Sequence, residues 1–378
     1  MAGTVPTITP GSITSVRGIE NRPVYFLTLA PSLVENLVVK GEAAGANLAH
    51  MGDADAMVSV KWGSKLMKNV NNDQVNTKIM TPAEVNEFKV YARAHLVQGT
   101  RPHTNVSPAG QAYNWVKMPK VGNLSDGEFY TETPAIGPNG RTGTAVVPAD
   151  VRRNIIKFSD DAVWSDLGKV LAVDIFNGND DRFDASDGSW VNKGNVMFLA
   201  GGQTAVIGLD TFDPNGAKSN LNVMGQFDEL QILINANRRH TFAEACATSV
   251  GEELARGLRF ANAQSVTVNM QGPDGPVVTS FSLTELKVLF LPYAPLLEAG
   301  IAAGALQLKQ YLQNKVRQYR GWQRAVPHAM QPLPPVPGQW RRAVPHAVQP
   351  MPPLPQVPGK TVPQGVLDRM AAIGWTVA

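Results

Sequence analysis

From Asp174 to Asp213 the chain reads DIFNGNDDRFDASDGSWVNKGNVMFLAGGQTAVIGLDTFD: an acidic loop, an asparagine ahead of an apolar run, and an aspartate closing a second apolar run. Aspartate and asparagine are the hard oxygen donors that magnesium takes, and a carboxylate beside a hydroxyl can orient it and accept its proton. Phosphoryl transfer to a hydroxyl needs both functions, one group on the nucleophile and others holding metal against the phosphates. The order assigns Asp181 to the acceptor hydroxyl, Asn195 to the metal at the start of a strand, and Asp210 to the metal as its main ligand at the end of the next strand. A strand, turn, strand unit between Asn195 and Asp210 brings both side chains to one end of a hairpin. Asn192, in the polar insertion DASDGSWVNK, is the alternative to Asn195. Upstream, Lys40 closes the strand Asn36-Leu37-Val38-Val39-Lys40 and has the reach for the α- and β-phosphates, with Asp55 as its candidate acidic partner and Glu42 as the alternative.

Positioning these groups requires a particular set of elements. Residues 12 to 40 alternate short strand-like runs with a turn at Gly18 to Asn21, the pattern of an antiparallel hairpin feeding a third strand. A helix follows from about Asp53 to Val70 with Ala56, Val60, Leu66 and Met67 as core positions, then strand and loop to about residue 150, including a strand at Tyr113 to Met118 before the hinge-like PKVGN. From Ser159, read as a cap, Val163, Trp164, Leu167, Val170, Leu171 and Asp174 recur at helical spacing, so this helix delivers the acidic loop at its end. Val196 to Leu199 and Ala205 to Leu209 form a hairpin around Ala200 to Gln203, and helices fill most of 226 to 320.

Near residue 321 the composition changes. Trp322-Gln323-Arg324-Ala325-Val326-Pro327-His328-Ala329 recurs as Trp340-Arg341-Arg342-Ala343-Val344-Pro345-His346-Ala347, and each copy runs into proline-rich sequence, PLPPVPG and then PMPPLPQVPG. Such sequence lacks core periodicity and favours extended polyproline II, the form that proline-recognising domains such as SH3 or profilin-like partners bind. Gln364 to Ile373 reads as one short amphipathic helix.

Composition excludes several classes. Lys plus Arg total 34 against 31 Asp plus Glu, a formal charge of +3 that argues for no nucleic-acid surface. The single cysteine, Cys246, permits no intrachain disulfide and sits in an apolar helix-like run as core. The 6 histidines show no metal spacing. Gly-x-Ser-x-Gly and P-loop patterns are absent, and an EF-hand is a poor fit because its ligand positions fall on Phe183 and Ala185. Trp164 and Trp190 read as packing residues. The N-terminus has no signal-peptide pattern, and the apolar stretch Val288 to Leu308, broken by Pro292, Pro295 and Glu298, reads as a buried helix rather than a membrane span. The expectation is a cytoplasmic protein.

Three segments, Asn179-Asp180-Asp181-Arg182-Phe183, Gly194-Asn195-Val196-Met197-Phe198 and Val206-Ile207-Gly208-Leu209-Asp210, together resemble the catalytic core of atypical, protein-kinase-like enzymes. The likeness is greatest to the actin-fragmin kinase catalytic domain, and more distant to the type II phosphatidylinositol 4-kinases and secretory-pathway casein kinases. Ser15-Val16-Arg17-Gly18, followed by the strand ending Val38-Val39-Lys40-Gly41, is similar to that family's nucleotide-binding lobe, and the resemblance spans roughly residues 12 to 310. It implies an α+β, bilobal protein-kinase-like fold: a small β-rich N-lobe over 1–118, a mainly helical C-lobe over 119–320, a disordered proline-rich tail over 321–359 and a short helix in 360–378. It further implies ATP in the cleft, Lys40 on its phosphates, Asp181 as catalytic aspartate, Asn195 and Asp210 on magnesium, and the backbone near Val116 to Met118 against adenine.

The function expected is therefore an ATP- and magnesium-dependent kinase acting on a protein hydroxyl. Actin enters as a substrate through the resemblance alone, and proline-recognising partners bind through 327–358. The alternatives are an inactive kinase-like scaffold working through its proline repeats, and transfer of AMP or phosphorylation of a lipid by the same site.

Overall fold

The computed structural model describes residues 5–19, 23–44, 53–71, 77–96, 112–133, 143–201, 204–209, 227–272, 275–325, 362 and 364–375. The chain divides into compact units at 1–308 and 309–378, and its architecture is α+β. Five antiparallel strands come first: β1 (Ile13–Gly18), β2 (Val24–Leu29), β3 (Leu37–Ala44), β4 (Lys78–Ile79) and β5 (Ala112–Pro119), in the order β1-β2-β3-β5-β4. Helix α1 (Asp53–Val70) follows β3, and α2 (Pro82–His95) lies between β4 and β5.

Pairing puts Tyr25 opposite Val39 and Val39 opposite Lys117, so the alternation of the strands sends Tyr25, Leu27, Leu37, Val39 and Trp115 to one face. Helix α2 covers that face, with the Phe88 ring 5.1 Å from Tyr25 and 5.3 Å from Trp115. The sequence expectation had strand and loop here. Its legible signal is a capping box, Thr81 accepting from the Glu84 N–H and Glu84 from the Thr81 N–H, with Pro82 at the first turn. Glu84 also pairs with the buried Lys117 of β5 and accepts from the Ile8 N–H at 3.1 Å, tying down the N-terminal segment. Burial pushes its carboxyl up, but the Lys117 ammonium and the two backbone donors outweigh this and hold it below its ordinary value.

Glu35, in the β2–β3 connection, binds Arg17 of β1 at 2.8 Å and Lys120 beyond β5, joining segments from both sides of the sheet. The hydrogen bond from Arg17 lowers its pKa most; burial opposes, Lys120 adds to the lowering, and the value falls from 4.5 to about 2. A carboxyl depressed in the fold adds stability above its unfolded value and loses it as pH falls through the folded one. Glu35→Gln should therefore lower stability at neutral pH and flatten the decline of the urea midpoint between pH 4.5 and about 2. Parallel midpoint-against-pH curves for the two chains would refute this.

Beyond the sheet come β6 (Leu124–Asp126), the pair β7 (Tyr130–Thr133) and β8 (Gly143–Val146), α3 (Pro148–Phe158), α4 (Asp161–Asn177), β9 (Met197–Leu199) and β10 (Val206–Ile207). Strands β10, β9 and β6 form a small sheet in that order. Then follow α5 (Phe227–Ile234), α6 (Ala236–Phe260), the hairpin β11 (Ser265–Gly272) and β12 (Gly275–Ser282), α7 (Leu283–Val288), α8 (Ala294–Ala325) and, in the second unit, α9 (Gln364–Ala372). Helix α3 and the β11–β12 hairpin are further departures from the expectation. Ser159 closes α3, donating to the Ile155 carbonyl, and the cap of α4 is Asp160, which accepts from the Ala162 N–H at 2.9 Å. Trp164 and Trp190 are core residues, both ringed around Phe158, and Cys246 is fully buried.

Helix α4 is buried along most of its length, with α1, α3, α5 and β10 packed on it and α8 approaching at backbone contact. A Cβ on Gly168 would lie 2.5 Å from the Leu297 carbonyl oxygen, and one on Gly300 would collide with the Ser165 carbonyl oxygen and stand 3.0 Å from the Gly168 Cα. The segment Leu283–Gln318 is long and apolar enough to cross a membrane by length and composition, yet Leu297, Ile301, Ala305 and Leu308 are buried in this fold. Alanine normally stabilises a helix over glycine by about 1 kcal/mol. At Gly300 the obstacle is backbone, which cannot swing aside, and overpacking of this kind costs about 1–3 kcal/mol or more. Gly300→Ala should thus lower the urea midpoint, and a raised midpoint would show that the helices part without cost.

Candidate functional site

Helix α4 ends at Gly178, which takes φ +69°, a left-handed conformation that glycine adopts without strain. The Asn179 N–H closes the turn on the Asp174 carbonyl at 2.9 Å, and the Asn179 amide donates to Asp174 Oδ1 at 2.9 Å. Asn179 Oδ1 in turn accepts from the Asp181 N–H at 3.3 Å, so the loop is fixed from its first residue. The half-buried Asp181 receives the Asn195 amide on Oδ2 at 2.7 Å and the Asn192 amide on Oδ1 at 3.3 Å.

The two asparagines differ in what they have left to offer. Asn192 Oδ1 caps the short turn Lys193–Asn195 by accepting from the Gly194 N–H at 3.1 Å. Asn195 directs its amide nitrogen at Asp181, and among the described residues nothing donates to its Oδ1. Asn195 and Asn192, the two residues the sequence offered as alternatives, therefore differ in whether their side-chain oxygen has a donor among the described residues.

Behind this loop lies Arg182, fully buried. Its Nη1 pairs with Asp174 Oδ2, its Nε donates to the Asn195 carbonyl at 2.7 Å, and its Nη2 donates to the Leu209 carbonyl. Burial pushes the Asp174 carboxyl up, against the pull of the Arg182 guanidinium and the Asn179 amide. Antiparallel pairing of Ile207 with Met197 carries Leu209 to the level of Asn195. Asp210 itself lies outside the described residues; the peptide leading into it is the one held by Arg182. Sequence pattern gives Arg182 no signal of its own, because its partners, the Asp174 carboxylate and two backbone carbonyls, come from other segments.

The insertion after Asp181 is a packed element. Phe183 and Trp190 stack at 6.1 Å across an isolated bridge, and the Trp190 N–H donates to Ser249 Oγ of α6 at 2.8 Å. Gly188 takes φ +77° and lies against α6, where a Cβ would come within 2.6 Å of the Ala245 Cβ. Lys193 pairs with Glu253 of α6 at 2.9 Å. The loop is thus seated on the helical core through Trp190, Gly188 and Lys193.

On the five-stranded sheet, Lys40 pairs with Val116 and Val38 with Met118, so Lys40, Val116 and Met118 share the face away from α2. Lys40 lies in the middle of β3, which continues to Ala44, rather than at its end. Val116 is paired on both edges, with Lys40 and with Ile79, so what it can offer a nucleotide is its side chain. Met118 is one residue past the last β4 partner and pairs with Val38 of β3. Asp55 lies in the first turn of α1, with its side chain outside the described set.

The far end of α1 packs on β10, a link absent from the sequence reading. Met67 lies against Gly208, where a Cβ would meet its sulfur at 2.6 Å, and the Asn71 amide donates to the Val206 carbonyl at 2.7 Å. Among the described residues no group of three or more His, Cys, Asp or Glu gathers as a metal cage. The proline-rich segment 327–358 lies outside the described residues. Comparison of the chain with protein-family models, with curated proteins and with solved structures found no match to any of them.

Proposed function

We propose that this chain is an ATP- and magnesium-dependent phosphotransferase with a bilobal, protein-kinase-like body, acting on a protein hydroxyl. The observation that carries the reading is that the buried Arg182 guanidinium binds the Asn195 and Leu209 carbonyls while the Asn195 amide donates to Asp181. Lysine on the third strand of an antiparallel sheet, followed by a helix, is where kinase-type phosphoryl transfer places its phosphate-binding lysine and the helix carrying its partner acid.

In this reading Lys40 holds the α- and β-phosphates, with Asp55 at the start of α1 as its candidate partner. Val116 and Met118 line the adenine side of the cleft. Asp181 orients the acceptor hydroxyl and takes its proton, and its contact with Asn195 fixes the direction in which the carboxylate faces. Asn195 Oδ1 and the Asp210 carboxylate are oxygen donors of the type magnesium prefers. When bound, the metal would offset charge on the transferring phosphate.

The test is calorimetric titration of ATP with and without magnesium. The wild-type chain should bind ATP with a gain from magnesium that Asp210→Ala loses. Absence of binding in the wild type would overturn the reading and move attention to partner binding by 327–358. The mass added to a labelled acceptor separates phosphate from AMP transfer.

A further inference from the structure

We propose that the outer edge of the β11–β12 hairpin is an interaction surface, and that its occupant is β12 of a second copy of this chain, paired antiparallel about a two-fold axis at Thr279. The hairpin is a two-stranded sheet, and among the described residues neither strand pairs with a third. Its pairing runs from Ser265 opposite Ser282 to Gly272 opposite Gly275 without a register shift. Opposite residues share a face, so Val277 lies on the side of Val266 and Val268, and Val278 on the other. Helix α3 packs on β11, and Val266 and Val268 are buried, whereas Val277 and Val278 are 51% and 69% exposed. At these two valines β12 is therefore bare on both faces.

The chain treats its other end strands differently. An unpaired edge invites strand addition, and proteins blunt it by shortness, bulges or charge. Strand β1 has a register irregularity between Ile13 and Ser15 and carries Arg17, and β4 is two residues long with Lys78. Strands β6 and β10 have three and two residues, and β7 and β8 have four each, with Glu132 on β7. By contrast β11 and β12, SVTVNMQG and GPVVTSFS, have eight residues each and no charge. Pro276 lacks an N–H but stands at the turn, which leaves Val277 to Phe281 as an uninterrupted run.

Charge selects the second copy as the occupant. Pairing about the two-fold sets Val277 of one chain against Phe281 of the other, Val278 against Ser280, and Thr279 against itself. A charged strand would meet its own charges in this arrangement, and like charges across a strand pair destabilise it; this run meets none. The same patch serves both chains, as a closed two-fold contact requires. A single strand pair is a small interface, so the association is weak and concentration dependent.

The experiment follows sedimentation of the full chain over rising concentration, with urea unfolding as the check on fold. Wild type should shift from one chain to two. Val278→Lys brings two ammonium groups close to the axis and should weaken the dimer by at least about tenfold, with the urea midpoint unchanged because the side chain is exposed. Cys246 is the only cysteine and is buried, so an introduced surface thiol reports on its own position. Under mild oxidation Thr279→Cys should give a disulfide-linked dimer, whereas Leu33→Cys, at a 97% exposed position between β2 and β3, should not at the same concentration. Wild type that stays monomeric overturns the proposal, and so does a monomer whose edge takes up a strand from another protein. A dimer that Val278→Lys leaves intact, or equal cross-linking by Leu33→Cys, also overturns it.

Discussion

Asp181→Asn will bind magnesium-ATP as the wild type does and transfer phosphate about 10²–10⁴-fold more slowly, the range expected when a positioned general base is removed. Asparagine preserves the shape of the loop, and its carbonyl can still accept the Asn195 amide now found at 2.7 Å. What it lacks is a site for the acceptor proton and the negative charge that orients the hydroxyl. Single-turnover measurement separates the two quantities, because chemistry is read apart from binding. A variant retaining most of the wild-type rate would show that Asp181 serves only to hold Asn195. A variant that loses nucleotide affinity as well would mean that the carboxylate contacts metal directly.

Asp174→Ala will unfold with about 3–5 kcal/mol less stability, since it leaves a fully buried guanidinium without its counter-charge. The Asn195 and Leu209 carbonyls still satisfy two of its donors, but neither offsets its charge. The appropriate contrast is the half-exposed pair between Arg153 and Asp150 at 2.7 Å, where Asp150→Ala should cost no more than about 1 kcal/mol. Urea unfolding monitored by circular dichroism measures both. Equal costs would mean that water reaches Arg182 in solution.

Two of the candidate residues lie near element ends, Asp181 after α4 and Asn195 before β9, and element ends leave periodicity signals. The strands from Ile13 to Lys40, helix α1, helix α4 and the β9–β10 hairpin were legible in this way, whereas the extension of β3 to Ala44 was not. Helix α2 was passed over, although Thr81, Pro82 and Glu84 spell its start and Phe88 and Ala92 its buried face. Its neighbours in sequence are polar, and the capping box is a short signal among them. The β11–β12 hairpin shows alternation in Ser265-Val266-Thr267-Val268 and a Pro-Asp-Gly turn, but it lies between long helices that dominate any wide window. Arg182 could not have been placed by pattern at all. An arginine is ordinarily a surface residue. Whether one is buried depends on carbonyls that only the folded chain brings to it.

The crossing of α4 by α8 also bears on how the chain is made. Helix α4 ends at Asn177 and α8 begins at Ala294, so during synthesis the inner helix is complete long before its cover leaves the ribosome. Until then its apolar surface and the notch at Gly168 stand open. When α8 does emerge, it completes an apolar run of membrane length, Leu283–Gln318, part of which closes over that notch. The interval between the two is when this protein would most need a chaperone, and substitutions at Gly300 would act first on yield rather than on catalysis.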